Sequence, residues 1–170
     1  LVSVRRRTLT TEQLAVIRDF ISQGKPVIGI RTASHAFSLR NKKPPEGRTD
    51  WQDFDQVVFG GNYTNHHGND LQVKISLADT GSKHPIVKGI DGNKQYFSSA
   101  SLYRVSPLMQ GAKVLMRGQV KGHPAEPIAW TYRRADGGKS FYTSLGNTED
   151  FQGLLLPELL ENALVWGLRK

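Results

Sequence analysis

The 170-residue sequence contains no cysteine. That excludes a disulfide framework, a thiolate metal site and a cysteine nucleophile. Long apolar runs are missing as well, since no stretch approaches the ~20 residues that cross a bilayer. No membrane span is therefore expected in this chain. Internal repeats and low-complexity tracts are absent, which excludes solenoid and fibrous architectures. The chain opens at Leu1 rather than Met, and Leu1-Val2-Ser3-Val4 reads as a buried strand already under way. The natural start, with any targeting signal, is expected to lie upstream, so cytoplasmic and exported locations both stay open. Acid is the scarcer charge: 15 Asp and Glu against 23 Lys and Arg leave a net charge of +8. Such a balance suits a polyanionic partner. Apart from Arg5-Arg6-Arg7 and Lys42-Lys43, however, the basic residues are scattered, and no nucleic-acid motif accompanies them. No nucleic-acid partner is expected.

What is present reads as one α/β domain over residues 1–170. Thr10 stands three residues before Gln13, the spacing of a capping box, and Leu14, Ile17 and Ile21 recur at helical intervals before Gly24. Pro26 to Ile30 is a short β-branched run, so strand, helix and strand suggest a βαβ unit with a parallel sheet. Residues 38–55 are polar with Pro44-Pro45 and Gly47, an excursion or lid. Leu71, Val73, Ile75 and Leu77 alternate with polar neighbours as in a half-exposed strand. A further strand is expected over Ala112–Met116. Runs at 128–132 and 140–145 flank Asp136-Gly137-Gly138, a hairpin signal. A last helix is expected from about Pro157, with Leu160, Ala163, Leu164 and Leu168 on one face. In open α/β sheets ligands bind at the carboxyl ends of strands. That rule points to Arg5–Arg7, Arg31–His35 and Gly146-Asn147 as walls of one crevice.

Several blocks then carry a resemblance. They are 27-VIGIRTASHAF-37, 59-FGGNY-63, 66-HHGN-69, 84-HPI-86, 127-PIAWT-131 and 138-GKSFYTSLG-146. In this order and spacing they resemble ThuA-like (trehalose-utilisation) domains of the class I glutamine amidotransferase-like superfamily. The resemblance implies a flavodoxin-like three-layer sandwich with a mostly parallel sheet. Against that pattern Leu1–Val4 looks like a third strand, so the N-terminal strands are expected to be missing. It also implies carbohydrate use, with a small-molecule carbohydrate as partner, and a homo-oligomer is compatible with it. The superfamily's nucleophile elbow is Gly-x-Cys-x-Gly. Here Gly29-Ile30-Arg31-Thr32-Ala33 corresponds to it, with Arg31 in the cysteine's place. The His-x-Glu of the superfamily corresponds to Asn147-Thr148-Glu149. A guanidinium cannot attack a carbonyl and an asparagine cannot act as a general base, so glutamine amidotransferase activity is excluded.

The ligand-binding candidates are Arg31, His35, Trp51, Asn62, His66, His67 and Asn147. Arg31 offers a planar fork for a carboxylate, a phosphate or vicinal hydroxyls, or else pairs with a buried carboxylate and holds its loop. His66-His67, with His35 as a third ligand, suggests a divalent metal such as zinc; acid–base work, sugar binding or a plain loop are the alternatives. Trp51 lies in a polar loop, which favours a sugar contact, whereas Trp130 lies in an apolar strand, which favours the core. Three readings follow. The first is a protein that binds or processes a sugar or oxidised sugar at the strand ends. The others are a non-catalytic binding or scaffold module, and a metal-dependent hydrolase or isomerase.

Overall fold

The computed structural model describes residues 1–169. Helix α1 (Thr11–Ser22) starts with the expected capping box: the Thr10 side chain accepts from the Gln13 backbone, and the Gln13 side chain accepts from Thr10 N–H. Leu14 and Ile21 turn into the core, and Gly24, with φ +73, ends the helix. The fully buried β1 (Val27–Ile30) follows.

The main sheet has six strands in the order β1, β8 (Lys139–Thr143), β7 (Glu126–Arg133), β6 (Ala112–Gln119), β3 (Val73–Leu77), β4 (Tyr96–Ser98). Short β2 (Asn65–His66) and β5 (Tyr103–Arg104) form a separate antiparallel pair. Within the main sheet only β1 and β8 run parallel; the other four pairings are antiparallel. The expected flavodoxin-like, mostly parallel sandwich is therefore wrong. The cause lies in the connections. A parallel neighbour needs a crossover of a dozen or more residues, whereas β6, β7 and β8 follow one another through short turns that reverse the chain. The hairpin at Asp136–Gly138 forms as its glycines suggested, with Arg134 and Gly138 closing it through the Arg134 N–H to Gly138 carbonyl bond of 3.0 Å.

The N-terminal expectation also needs correction. Leu1–Val4 is not a buried strand: Leu1 is 78% exposed. Only Val2 bridges in parallel to Gly29, through Val2 N–H to the Ile28 carbonyl and Ile30 N–H to the Val2 carbonyl.

The sheet is apolar on both faces. On one, Ile28, Ile75, Met116, Ile128 and Phe141 meet Leu156, Leu159 and Ala163 of α3 (Leu155–Leu168). Of the α3 face expected from the sequence, Ala163 is buried and Leu160 packs against this core, whereas Leu164 and Leu168 are exposed and Leu155 and Leu156 begin the buried stripe. On the other face, Val27, Trp130 and Tyr142 pack against Leu14 of α1 and an aromatic group of Phe37, Trp51, Phe54 and Phe59. Gly29 in the middle of β1 lies under the Phe59 ring, and a Cβ there would overlap it. The Gly29→Ala protein should therefore lose ~2 kcal/mol or more, read as a lower midpoint in urea unfolding. An unchanged midpoint would show that the ring yields freely.

Candidate functional site

The carboxyl end of β1 feeds a tight 3-10 turn, Arg31–His35. Arg31 opens it with φ +45, a left-handed conformation that L-residues rarely adopt. A strained strand-to-helix turn is the geometry of a nucleophile elbow, and here it carries a guanidinium. Its carbonyl accepts from the Tyr142 hydroxyl at 2.6 Å. Its Nη1 donates to the Ser144 carbonyl at 2.8 Å and its Nη2 to Ser101 Oγ at 3.0 Å. The guanidinium also lies over the Tyr103 ring, 4.8 Å from its centre. Because β8 runs parallel to β1, the two strand ends lie side by side, and Gly146 approaches so closely that a Cβ would overlap Ile30.

A second element completes the site. Asp55–Phe59 forms a single π-helical turn, closed by Gly60 with φ +64. Such turns gather at functional positions. The wide turn draws Asp55 inward, to 8% exposure. Its Oδ2 accepts from Tyr63 N–H at 2.8 Å, while Oδ1 is buried without a hydrogen-bond partner among the described residues. Burial pushes its pKa up to about 7, against a smaller opposing effect of the Tyr63 N–H. Asp55 thus titrates near neutrality.

Between these turns lies a polar crevice of about 260 Å³ lined by Ser34, His35, Ser38, Arg40, Gln52, Asp53, Asp55, Gln56, Asn62 and Tyr63. His35 is buried, stacked on Tyr63 with ring centres 4.6 Å apart, and its Nδ1 lies 3.1 Å from Ser34 Oγ. Burial and then the charges of Arg6, Arg5, Arg40 and Arg31 push its pKa down to about 3. It is a neutral imidazole at physiological pH, suited to hydrogen bonding rather than to carrying charge. Burial likewise raises the Tyr103 hydroxyl and, with Asp55, the Tyr142 hydroxyl, so both phenols stay protonated.

The seven candidates do not converge on one crevice. His35 and Asn62 line it. Arg31 lies beside it, joined through Tyr103, whose ring contacts both His35 and Tyr63. The alternative in which Arg31 pairs with a buried carboxylate does not hold, as its acceptors are neutral. Trp51 is 5% exposed and packs edge-on to Phe54 beneath the Arg18 guanidinium, so it belongs to the core. His66 lies on β2 opposite Tyr103, while the His67 ring meets His123 with centres 4.3 Å apart. Adjacent residues of an extended segment point apart, and these do. No group of three or more His, Asp or Glu side chains able to hold a metal occurs among the described residues, so His35, His66 and His67 do not form one. Asn147 caps the short α2 (Thr148–Gln152) and donates to Ser99 Oγ and Glu149.

Asp55, Ser34 and Arg40 were not singled out from the sequence. Asp55 had one visible signal, an acid directly ahead of the apolar Val57-Val58-Phe59 and the Gly60-Gly61 turn. Arg40 had none, lying in a loop of ordinary polar composition.

The family model described as trehalose utilisation (ThuA) matches residues 1–167. No curated protein sequence matches the chain. Among solved structures, the cold-adapted β-galactosidase of Rahnella sp. R3 is similar with a TM-score of 0.56 at 12% identity, over 90% of this chain and 21% of that one. The β-galactosidase of Bacillus circulans sp. alkalophilus gives a TM-score of 0.56 at 16% identity, over the same shares of 90% and 21%. The chain thus spans about a fifth of the length of either enzyme, and at these identities the likeness is one of fold.

Proposed function

Since the chain belongs to the trehalose-utilisation (ThuA) family and so to carbohydrate use, we propose that the crevice between the Arg31 and Asp55 turns binds a sugar or oxidised sugar. The observation that carries this reading is the lining itself: hydroxyl, amide, imidazole and carboxyl groups converge on one concave space beside a strand's carboxyl end. Side chains that both donate and accept match the hydroxyls of a sugar. The volume, about 260 Å³, is below the usual range for drug-sized ligands and suits one ring. Amidotransferase chemistry is not part of this reading, because the elbow position holds Arg31, whose protonated guanidinium is no nucleophile.

Calorimetric titration of trehalose, glucose and their keto and acid derivatives tests the proposal. At least one should bind, and Asn62→Ala should weaken it about tenfold, the loss of one well-placed hydrogen bond. Asn62, part of the lining, makes no side-chain hydrogen bond to the described residues, so the variant's melting temperature should stay near the parent's. If no sugar binds, or if Asn62→Ala binds as the parent does, the crevice is not a sugar site.

A further inference from the structure

Positive charge gathers beside the crevice, with Arg40 in its lining and Arg5, Arg6 and Arg31 near enough to act on His35. Among the described residues the one ion pair is Arg134–Asp136 at the β7–β8 hairpin. Arg5, Arg6, Arg31 and Arg40, the four cations whose fields reach His35, have no carboxylate within ion-pair distance. Their recorded bonds go to neutral acceptors: Arg6 Nη1 to the Ser38 carbonyl at 3.2 Å and Arg40 Nη2 to the Thr64 carbonyl at 3.1 Å, besides those of Arg31. A guanidinium carries five N–H donors, so most of this capacity is unspent. Two acids, Asp53 and Asp55, also line the crevice; Asp55 titrates near neutrality and neither makes an ion pair with these arginines.

Backbone conformation gives an independent sign. Among the described residues the non-glycine positions with positive φ are Arg6 (+47), Arg31 (+45) and Arg40 (+58), three of these same four arginines. Glycine or asparagine would occupy such positions at lower conformational cost. Backbone strain concentrated in this way is a mark of functional placement. Arg6 is also tied to the site by main-chain bonding, its N–H donating to the His35 carbonyl at 2.9 Å. Each of the three backbones is held so that a cation stands near one small polar space, with no carboxylate of the described residues in ion-pair contact with it.

We propose that the ligand of this crevice is a sugar bearing a negative charge, a carboxylate or a phosphoryl group, which Arg40 and Arg6 bind while the ring lies among His35, Asn62 and Asp55. The inference rests on the crevice being the sugar site. Planar guanidinium groups suit both anions, since each presents paired oxygens to a two-pronged donor. A neutral sugar would leave Arg6 repelled by Arg40 and Arg5 with nothing gained. That repulsion is already visible in Arg6, held below its ordinary pKa by burial and by Arg40.

The test is calorimetry on the whole chain in phosphate-free buffer with D-glucose, D-glucuronate, D-glucose 6-phosphate and inorganic phosphate. At low salt one of the two charged sugars should bind at least ~10-fold tighter than glucose. That advantage should shrink toward nothing at about 0.5 M salt, as a surface charge contact must. The favoured sugar tells carboxylate from phosphoryl. Arg40→Gln and Arg6→Gln should remove the advantage of the charged sugar over glucose; the salt series on the parent protein decides the matter if either variant folds poorly. Equal affinity for glucose and both charged sugars, without salt dependence, overturns this inference and leaves the sugar site standing. Inorganic phosphate binding as tightly as glucose 6-phosphate overturns it too, because the ring would contribute nothing. Failure of every sugar to bind removes the site itself.

Discussion

Asp55→Asn should make the protein more stable than its parent at pH 8, by up to on the order of 4 kcal/mol, an advantage that vanishes as the medium becomes acid. Asp55 has a folded pKa of about 7 against an ordinary 3.8, raised by burial. Between those values the folded state holds a proton that the unfolded chain has lost, so stability falls as pH rises through the window. Its contribution is complete below about pH 4 and gone above about pH 7. His35 works in the opposite sense. Its folded pKa is about 3 against 6.5, lowered by burial and by Arg6, Arg5, Arg40 and Arg31. The unfolded chain then holds the extra proton, so stability falls as pH drops from 6.5 toward 3. Over the shared range the two slopes oppose each other, and the parent's profile from these groups should be nearly flat. Asparagine keeps the acceptor for Tyr63 N–H but has no charge to bury, so it exposes the His35 slope alone. Urea unfolding at intervals from pH 5 to 8 measures this. Parallel profiles for the two proteins would mean that Asp55 is ionised in the fold. An acid that costs stability at neutral pH and lines a crevice is a candidate for a chemical role.

The second large effect lies at the opposite end of β8. Arg134 is 3% exposed, and every N–H it owns is used. Nε donates to Asp136 at 3.0 Å; Nη1 donates to the Lys139 carbonyl and Ser140 Oγ; Nη2 donates to the carbonyls of Ile21 and Lys25. One side chain thus joins the end of α1, the approach to β1 and the β7–β8 hairpin. Arg134→Ala should cost about 3–5 kcal/mol, because it strands buried acceptors as well as removing bonds. Arg134→Lys should recover less than half of that, since a single ammonium cannot span acceptors arranged around a planar fork. The midpoint of urea unfolding reads both. A loss below ~1 kcal/mol for the alanine variant would show that water satisfies these carbonyls without cost. Sugar affinity should not move in the lysine variant, because the clip and the crevice occupy opposite ends of the strand.

Local chemistry was legible in the sequence where neighbours along the chain decide the outcome. The Thr10–Gln13 box, the alternation of β3 and the Asp136–Gly138 turn each depend on a few consecutive residues, and each formed as read. Strand direction was not legible, because a fully buried run such as Val27–Ile30 looks the same in either orientation and only the connections fix it. The family resemblance was carried by real motifs, yet it led to a parallel sheet that short turns do not permit here. Trp51 misled for a related reason: its neighbours Asp50, Gln52 and Asp53 are polar, while the surfaces that bury it, Phe54 and Arg18, come from the next turn and from α1. Asp55 and Arg40 acquire their meaning from Tyr63, which no local pattern connects to both.

The parallel pairing of β1 with β8 sets the order in which the molecule can come together. Arg31 reaches Ser144 across 113 positions of chain, so a ribosome releases β1 long before its partner exists. Until β8 is made, β1 has the Val2 bridge as its one backbone partner among the described residues, and Ile28, which packs with Phe141 and α3, must wait uncovered. Pairing over such a distance is slow to nucleate, and an uncovered strand is open to the wrong neighbour in the meantime. The antiparallel β6–β7–β8 meander can close by itself, from adjacent segments. The crevice cannot, since one wall hangs from β1 and its support from β8. The crevice therefore takes shape only after β8 has joined β1, and a break between the two strands would be the first thing to open it.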